Sequence, residues 1–331
     1  GATGAGAGGS VRVDAAAVFK ELACRNLMRW AFGMDPDTDV ATRLRRQLLA
    51  YLHTAWMEVD AAHPWKLLQL KRQADDIRRL VKRVVADGLY KHSGRDNFVA
   101  AMLAAGMPAG EVEGEVNQMH VAHKAIGFTL AVSAFRAARN PKWVAKMRGE
   151  FAAALRGRAH PERADLPRLP TAMAFFDEVL RCHVVSQGVA RKTGDAPLDV
   201  GGGVVLPPGS EVLVLLHALH HDPRLWGDDA ERFDPARMLH KEERVPAGAY
   251  LPFLEGTRHC RGMHLARLEW TVVMHALLSR FDVATDLTRV PLTENMFTHI
   301  DGALEVTLTP RSGDAATRSA RSCRIDLTTS Q

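Results

Sequence analysis

The pattern of hydrophobic and polar positions divides the chain into a helical first half and a second half of mixed structure. From Val13 to about Arg158, apolar residues recur three and four positions apart, which is typical of amphipathic helices. The pattern is clearest in VFKELACRNLMRWAF, RRQLLAYLHTAWMEV and LLQLKRQADDIRRLVKRVVADGL. A longer helix is predicted from about Ala109 to Ala138, because no proline interrupts it before Asn140-Pro141. Its length of ~45 Å would cross a whole domain, so we expect its centre to be buried.

The second half shows different signals. After a proline-bearing connector at 161–170, TAMAFFDEVLRC predicts another amphipathic helix. The glycines and prolines of 201–209 and the run EVLVLL then indicate the turns and strands of a small sheet. An unusually long irregular connection follows over 222–252, a helix over 262–281, and a last strand at EVTLTP. We therefore predict a mostly helical α+β fold with small β-sheets.

The two ends of the chain differ from the rest in composition. The opening GATGAGAGGS lacks the basic and apolar regions of a signal peptide, and we interpret 1–12 as a flexible leader rich in Gly and Ala. The end, from 311 to 331, is polar, and we expect it to be disordered. The functional domain is therefore expected between these two segments, over 13–310.

Composition and charge argue against several classes of protein. The 43 basic and 38 acidic residues give a net charge of +5, and the basic ones are scattered, so nucleic acid is not an expected partner. The surplus suits a docking face for an acidic protein or an ordinary solvated surface. Cys24, Cys182, Cys260 and Cys323 form no C-x-x-C pair, which is typical of reduced, intracellular thiols. No stretch approaches the ~20 apolar residues of a membrane span, so we expect the chain as given to be soluble.

The segment LPFLEGTRHCRGMHLARLEW carries the clearest chemistry. It contains the pattern F-x-x-G-x-R-x-C-x-G at Phe253, Gly256, Arg258, Cys260 and Gly262, just before a predicted helix. The N-terminus of a helix supports a negatively charged thiolate, and glycines let the backbone approach a flat macrocycle. Phe253 can shield the sulfur from water, and Arg258 suits a bidentate pairing with a carboxylate. Taken alone, Cys260 fits a buried small hydrophobe better, but the full pattern favours a ligand.

These five positions resemble the cysteine-loop signature of the cytochrome P-450 family without a gap. The resemblance implies that Cys260 is the axial ligand of haem iron, with haem b as the cofactor. It also implies a helical bundle that encloses the haem between the long central helix and the cysteine loop. The resemblance is strongest after residue 170, and an N-terminal part of the family pattern is not found. We therefore expect 13–310 to be a partial haem domain, from a fragment or a degraded gene, whose full-length form could be membrane-anchored.

Two upstream motifs resemble the family in the same order. Glu178 and Arg181 match its E-x-x-R, a spacing that places both side chains on one face of a helix so that they can pair. The stretch WGDDAERFDPARML resembles P-x-x-F-x-P-x-R-F with Arg237 at the arginine, although it lacks the first proline and has Met238 in place of the last phenylalanine. The resemblance implies a structural charge cluster of Glu178, Arg181 and Arg237 that fastens the irregular segment to the core.

Two further groups of residues remain open. Arg191 occupies a strand position where family members often place a partner for a haem propionate, and a solvated strand arginine is an equal alternative. His217, His220 and His221 lack the flanking ligand spacing of a zinc site. The resemblance implies that this histidine stretch is a structural strand-to-loop segment.

The central helix departs most from the family. Residues 121–126, VAHKAI, align with a run in which an acid and an alcohol relay protons during oxygen activation. Lys124 stands at the acid position and Ala125 at the alcohol position, while Ala122 preserves a small residue where the helix passes over the haem. We therefore expect a retained pocket with an altered relay. His123 is an alternative proton donor, because histidine titrates near neutrality, or else a packing residue.

The resemblance implies a haem-thiolate monooxygenase, an oxidoreductase in which a thiolate ligand favours cleavage of the O–O bond. Such an enzyme oxidises a small apolar organic substrate with O2 and with electrons from a reductase or ferredoxin. Two alternatives stay open. One is an enzyme of the same fold without O2 activation, which uses peroxide or acts as an isomerase or dehydratase. The other is a non-catalytic or degenerate haem-binding fragment. The substrate, its regioselectivity and the redox partner do not follow from the sequence.

Overall fold

The computed structural model describes residues 9–56, 64–91, 94, 96–294 and 297–311. These residues form two compact units, one of residues 16–128 and one in which residues 9–15 join residues 129–311. Most of the predicted leader and tail, residues 1–8 and 312–331, lies outside the described residues. None of the described helices is both long enough and apolar enough to cross a membrane.

The first unit is helical. Its elements are α1 Ala15–Trp30, α2 Asp39–Trp56, α3 Pro64–Ala86, a 3-10 turn Leu89–Lys91, α4 Phe98–Ala104 and the first two-thirds of α5 Ala109–Arg139. Each amphipathic segment of the sequence places its apolar stripe inside the unit, where Leu27, Leu44, Leu48 and Val81 form part of one buried cluster. The three helices predicted before residue 90 are thus confirmed.

The long helix α5 is confirmed with its predicted end. It runs for 31 residues to Arg139, and Asn140 then donates through Nδ2 to the carbonyl of Arg136 at 2.7 Å. Pro141, which has no N–H to continue the ladder, begins the next helix. At the centre of the helix His123 and Ile126 are buried, and burial continues without interruption from residue 126 to residue 135.

The second unit mixes helices with short strands. Its elements in chain order are β1 Val11–Asp14, the end of α5, α6 Pro141–Leu155, a 3-10 helix Arg163–Arg168, α7 Pro170–Cys182, β2 Gly188–Lys192, β3 Leu198–Asp199, β4 Val205–Leu206, β5 Glu211–Leu215, α8 Leu216–His221, α9 Pro223–Trp226, a 3-10 helix Pro235–Met238, α10 Lys241–Arg244, a 3-10 turn Gly256–Arg258, α11 Met263–Arg280, β6 Phe281–Ala284, β7 Leu292–Glu294, β8 Thr298–Ile300 and β9 Glu305–Pro310. The predicted helices at 170–182 and 263–280 and the strands EVLVL and EVTLTP are confirmed.

The strands form four small antiparallel sheets. The largest has the order β1-β9-β6, with Leu308 paired to Val11 on one side and Val283 on the other. The other three are the pairs β2-β5, β3-β4 and β7-β8. Strand β1 was not predicted, and it includes Val11 and Arg12 from the segment interpreted as leader.

The long irregular connection and the histidine stretch need correction. Residues 222–252 contain two short helices and a 3-10 helix, each too short to show a helical period in the sequence. The stretch LHALHH is helix α8 and not a strand-to-loop segment. Between them, Asp222 caps α9 by accepting from the N–H of Arg224 at 2.9 Å.

Helix α11 packs into the core of the second unit through Trp270. Its side chain is fully buried, and its Nε1 donates to Ser133 Oγ of α5 at 2.8 Å. The rings of Phe175 and Phe176 of α7 lie 6.4 Å and 5.0 Å from the Trp270 ring. This contact fixes α11, and therefore the loop that leads into it, relative to α7.

Candidate cysteine-loop site

The chain reaches Cys260 through a tight loop between the irregular segment and α11. The N–H of Cys260 donates to the carbonyl of Phe253 at 2.7 Å, and the N–H of His259 donates to the carbonyl of Gly256 at 3.2 Å. Leu254 and Gly256 have φ angles of 60° and 77°. A glycine adopts such an angle without cost, whereas at Leu254 it costs about 1–3 kcal/mol. The packing around the loop must therefore hold the strained residue in place.

Cys260 differs from the other cysteines that the structure describes. Cys24 and Cys182 are buried, and burial raises the pKa of each thiol to about 12, so both stay protonated. Cys260 is exposed and lies three residues before Met263, the first residue of α11. The first N–H groups of a helix have no partner inside it, and with the helix dipole they favour a nearby thiolate. Cys323 lies outside the described residues.

The surroundings of Cys260 fit a haem. A Cβ added at Gly262 would lie 3.7 Å from the sulfur, so the glycine leaves that side of the thiol open. Arg258 is exposed and forms no ion pair with any residue that the structure describes. Arg191 is exposed on β2, where it donates to the carbonyl of Ala190 at 2.9 Å. An accessible thiol, an open glycine face and an arginine without a carboxylate are a donor set that suits a haem with two carboxylates.

The start of the loop is tied to two helices by residues that the sequence analysis did not select. Tyr250 donates through its hydroxyl to the carbonyl of Asp177 in α7 at 2.9 Å. The N–H of Leu251 donates to Nε2 of His220 in α8 at 3.0 Å. Burial lowers the pKa of His220 to about 3, so the ring stays neutral and accepts this bond. The histidine of this stretch that reaches the site is therefore a structural acceptor.

The phenylalanine of the loop packs against α7. The rings of Phe253 and Phe176 are stacked at 6.3 Å, and the guanidinium of Arg267 from α11 lies 6.0 Å from the Phe253 ring. Arg267 also lies 3.7 Å from the buried carboxylate of Asp177, which holds Lys241 of α10 at 2.5 Å. The loop, α10 and α11 are thus joined at the middle of α7.

The structure brings Glu178, Arg181 and Arg237 together. Glu178 and Arg181 are fully buried, and Arg181 donates to both carboxylate oxygens of Glu178 at 2.8 Å. Arg237 lies 3.3 Å from the same carboxylate. Three backbone acceptors of Arg181 were not predicted, namely the carbonyl oxygens of His220 at 2.9 Å, Ala230 at 2.6 Å and Arg232 at 3.0 Å.

The segment expected to act in oxygen activation lies on α5 in the helical unit, whereas Cys260 belongs to the second unit. His123 is buried, and Lys124 and Ala125 are half-buried. Burial, with a smaller contribution from the charge of Lys20, lowers the pKa of Lys124 to about 7. Ala122 lies in the same helix, and its side chain is outside what the structure describes.

The remaining histidines of α8 form a pair. The rings of His217 and His221 stack at 4.2 Å, and His221 Nδ1 lies 2.9 Å from the carbonyl of His217. Within the described ranges, no group of three His, Cys, Asp or Glu side chains is arranged to hold a metal ion.

Comparison with known proteins identifies the family. The family model described as Cytochrome P450 matches residues 4–307. The chain is 31% identical over 321 residues to Cytochrome P450 734A4 of Oryza sativa subsp. japonica, covering 86% of this chain and 60% of the relative. It is 27% identical to 11-oxo-beta-amyrin 30-oxidase of Glycyrrhiza uralensis, covering 86% of this chain and 59% of that protein.

A further curated relative and a solved structure agree. Cytochrome P450 monooxygenase buaD of Petromyces alliaceus is 30% identical over 62% of this chain and 41% of its own length. The crystal structure of a cytochrome P450, CYP102L1, matches with a TM-score of 0.76 and 21% identity, covering 91% of this chain and 69% of that chain. The structural match confirms the predicted fold. The chain spans about 60% of the length of the first two curated relatives.

Proposed function

Since the chain belongs to the cytochrome P450 family, we propose that it is part of a haem-thiolate monooxygenase. The single observation that carries the proposal is the exposed thiol of Cys260 at the N-terminus of α11, within a complete cysteine loop. Relatives named as a monooxygenase and as an oxidase support oxygen chemistry. The substrate we propose is a small apolar organic molecule, with O2 as the oxidant and a reductase or ferredoxin as the electron donor.

We propose that the loop holds haem b through Cys260. When bound, the haem iron supplies the activation of O2 and the insertion of an oxygen atom into the substrate. The N-terminus of α11 stabilises the negative charge of the thiolate. Gly256 allows the turn that presents the sulfur, and Gly262 leaves space beside it. Arg258 donates to a haem carboxylate.

Two other residues complete the proposed cofactor site. Phe253, stacked on Phe176, is proposed to shield one side of the thiolate from water once the haem is bound. Arg191 is the second donor to a haem carboxylate, since its hydrogen bond to the carbonyl of Ala190 leaves other N–H groups of the guanidinium for a ligand. On α5, Ala122 is proposed to leave room for the haem.

A second candidate function rests on the sequence of α5. Ala125 has no side-chain proton to donate. Lys124 stands where family members commonly have an acidic residue. These two residues favour an enzyme of the same fold that works without O2 activation, such as a peroxide-using enzyme, an isomerase or a dehydratase. If O2 is used, His123, which is buried beside Lys124, is the proposed alternative proton donor.

The first test is spectroscopic. The purified chain, loaded with haem, reduced and exposed to carbon monoxide, should show the red-shifted Soret band of a thiolate complex. The substitution Cys260→Ser should abolish that band, whereas Cys24→Ala, which removes a buried thiol with a pKa of about 12, should retain it. If Cys260→Ser keeps the red-shifted band, the proposed ligand is wrong.

A second measurement separates the two candidate functions. Product formation from an apolar test substrate is compared with a reductase and NADPH or with hydrogen peroxide alone. A monooxygenase should turn over with the reductase. Its yield of product per NADPH should rise when Lys124→Asp is combined with Ala125→Thr, because a well-placed general acid raises the rate of the step that it assists by ~10²–10⁴-fold. Turnover with peroxide alone, unaffected by both substitutions, would favour the second candidate.

A further inference from the structure

The surplus of positive charge on this chain lies on two neighbouring helices of the helical unit. Helices α2 and α3 together carry ten Lys or Arg residues and three Asp or Glu residues, a surplus of seven positive charges. The whole chain has a net charge of only +5, so the rest of it is slightly acidic. The basic residues that look scattered along the sequence are therefore concentrated where α2 packs against α3.

A cleft of about 530 Å³ between these helices collects arginines from both. Of the arginines that line it, Arg43 and Arg46 come from α2, and Arg79 and Arg83 come from α3. The two arginines of each helix lie three or four residues apart, so each pair occupies one face of its helix. Among the described residues that line the cleft, Asp76 carries the only carboxylate. Four guanidinium groups thus share a single acidic side chain.

The arginines of α2 divide into one that holds the fold together and two that line the cleft. Arg45 is buried and pairs with Glu21 of α1. Arg43 and Arg46 are exposed instead, and neither forms an ion pair with a residue that the structure describes. Their guanidinium groups therefore keep their N–H donors for a ligand.

The arginines of α3 are only partly engaged. Arg79 pairs with Asp76 one turn earlier, and Nε of Arg83 lies 3.6 Å from a carboxylate oxygen of Asp87. Both arginines are exposed, and exposed pairs of this kind are weak, so an anion of higher charge can compete with these carboxylates. With Asp76 counted against the four arginines, the cleft keeps a surplus of three positive charges.

We propose that this cleft binds a compound that carries a diphosphate group. The fork of N–H donors on an arginine matches two oxygens of one phosphate, so four arginines can hold two adjacent phosphates. A diphosphate group has a charge of about −3 near neutral pH, which balances the surplus of the cleft, whereas a single carboxylate would balance only one of the three charges. The group can belong to a soluble compound or to a lipid headgroup, and the diphosphate is the chemistry that the two share.

The first experiment is isothermal titration calorimetry of the full chain with inorganic diphosphate at a salt concentration of about 0.15 M. One diphosphate should bind per chain, with a Kd below about 1 mM. Arg43→Gln combined with Arg46→Gln should weaken binding at least ~10-fold, because it removes both uncommitted guanidinium groups. The matched control is Arg72→Gln combined with Lys82→Gln. It removes two charges from exposed positions of α3 that do not line the cleft, and it should change the Kd less than ~2-fold.

Two comparisons test whether the charge and the chemistry of the cleft select the ligand. Asp76→Asn removes a carboxylate from the cleft and should tighten the binding of diphosphate severalfold. Citrate, whose similar charge is spread over three separate carboxylates, should bind at least ~10-fold more weakly than diphosphate. No binding of diphosphate, unchanged binding in Arg43→Gln with Arg46→Gln, or equal binding of citrate would overturn the proposal.

Sedimentation with vesicles identifies the source of the group. Phosphatidylcholine vesicles that contain diacylglycerol diphosphate are compared with vesicles brought to the same charge with phosphatidylserine. Stronger binding to the diphosphate vesicles, lost in Arg43→Gln with Arg46→Gln, supports a lipid headgroup, and binding of free diphosphate without that preference supports a soluble compound. Equal binding to both kinds of vesicle without binding of free diphosphate would overturn the proposal. These measurements need no haem, so their outcome is independent of the thiolate test at Cys260.

Discussion

Removing Glu178 should cost this protein a large part of its stability. Glu178 and Arg181 are both fully buried, and the two hydrogen bonds between them, each 2.8 Å long, compensate the buried charge of Arg181. In Glu178→Ala that charge remains in the core without a carboxylate. Breaking a buried pair by removing one partner costs about 3–5 kcal/mol, which is comparable with the 5–15 kcal/mol by which typical domains are stable. We expect Glu178→Ala to be insoluble or unable to retain haem.

The assay is urea denaturation of the full chain followed by far-UV circular dichroism. Where Glu178→Ala is too unstable to purify, Glu178→Gln keeps the shape and removes the charge, and its midpoint should still fall clearly below that of the unmodified chain. The matched control is Asp75→Ala, which breaks an exposed pair with Arg78 at 2.8 Å and should cost at most about 0.5 kcal/mol.

A double substitution tests the cause. In Glu178→Leu with Arg181→Met, neither charge remains, so the loss should be smaller than the sum of the two single losses by at least ~1.5 kcal/mol. If Glu178→Ala were soluble, retained haem, unfolded within about 1 kcal/mol of the unmodified chain and lost only turnover, the buried pair would not be a source of stability. That result would make Glu178 a residue of the reaction.

Two further predictions concern groups whose pKa is shifted. In the haem-free chain at pH 8, iodoacetamide should modify Cys260 and leave Cys24 and Cys182 intact, because burial raises the pKa of both buried thiols to about 12. Added haem should protect Cys260 from the reagent. Peptide mapping that finds Cys260 unprotected by haem would contradict the proposed ligand. The hydrogen bond from Arg158 and that from the N–H of Glu162 lower the pKa of Asp165 to about 2, so its contribution to stability is present above about pH 4 and is lost as the pH falls toward 2. Urea midpoints of Asp165→Asn should therefore lie below those of the unmodified chain at pH 7 and converge with them near pH 2, and parallel curves would exclude this role.

The helices were predictable because each carries its own pattern. In α2, Leu44 and Leu48 lie four residues apart and both are buried, so the period in the sequence corresponds directly to one face of the helix. The end of α5 followed from Pro141 alone. Strand β1 could not be predicted in this way, because its position depends on pairing with β9 almost 300 residues later, which no local pattern encodes.

In the candidate site, too, some residues could be predicted from the sequence and others could not. Cys260, Gly256 and Gly262 lie within seven residues, so their spacing could be recognised in the sequence. The residues that hold the loop could not, because Asp177 and His220 reach it from elements 73 and 31 residues away. His220 also has no distinctive neighbours, and its role as a neutral acceptor follows from burial, which the sequence does not show.

The residues of α7 from Phe176 to Arg181 link the charge cluster to the cysteine loop, and this link changes what the Glu178 substitution tests. Arg181 fastens the carbonyl oxygens of Ala230 and Arg232, which lie in the irregular segment, and Glu178 accepts from the N–H of Asp234 at 2.8 Å. The neighbouring residues Asp177 and Phe176 hold Tyr250 and Phe253 of the loop.

Both sets of contacts arise from adjacent residues of α7. The irregular segment that Glu178 and Arg181 hold runs directly into the cysteine loop that Phe176 and Asp177 hold. A loss of the first set should therefore loosen the loop before the whole unit unfolds, because Leu254 holds a strained φ of 60° that only its surroundings maintain. In Glu178→Gln the red-shifted carbon monoxide band should accordingly disappear at a lower urea concentration than the helical circular dichroism signal. If the two signals are lost together, the loop and the cluster unfold as one unit, and α7 transmits no separate effect to Cys260.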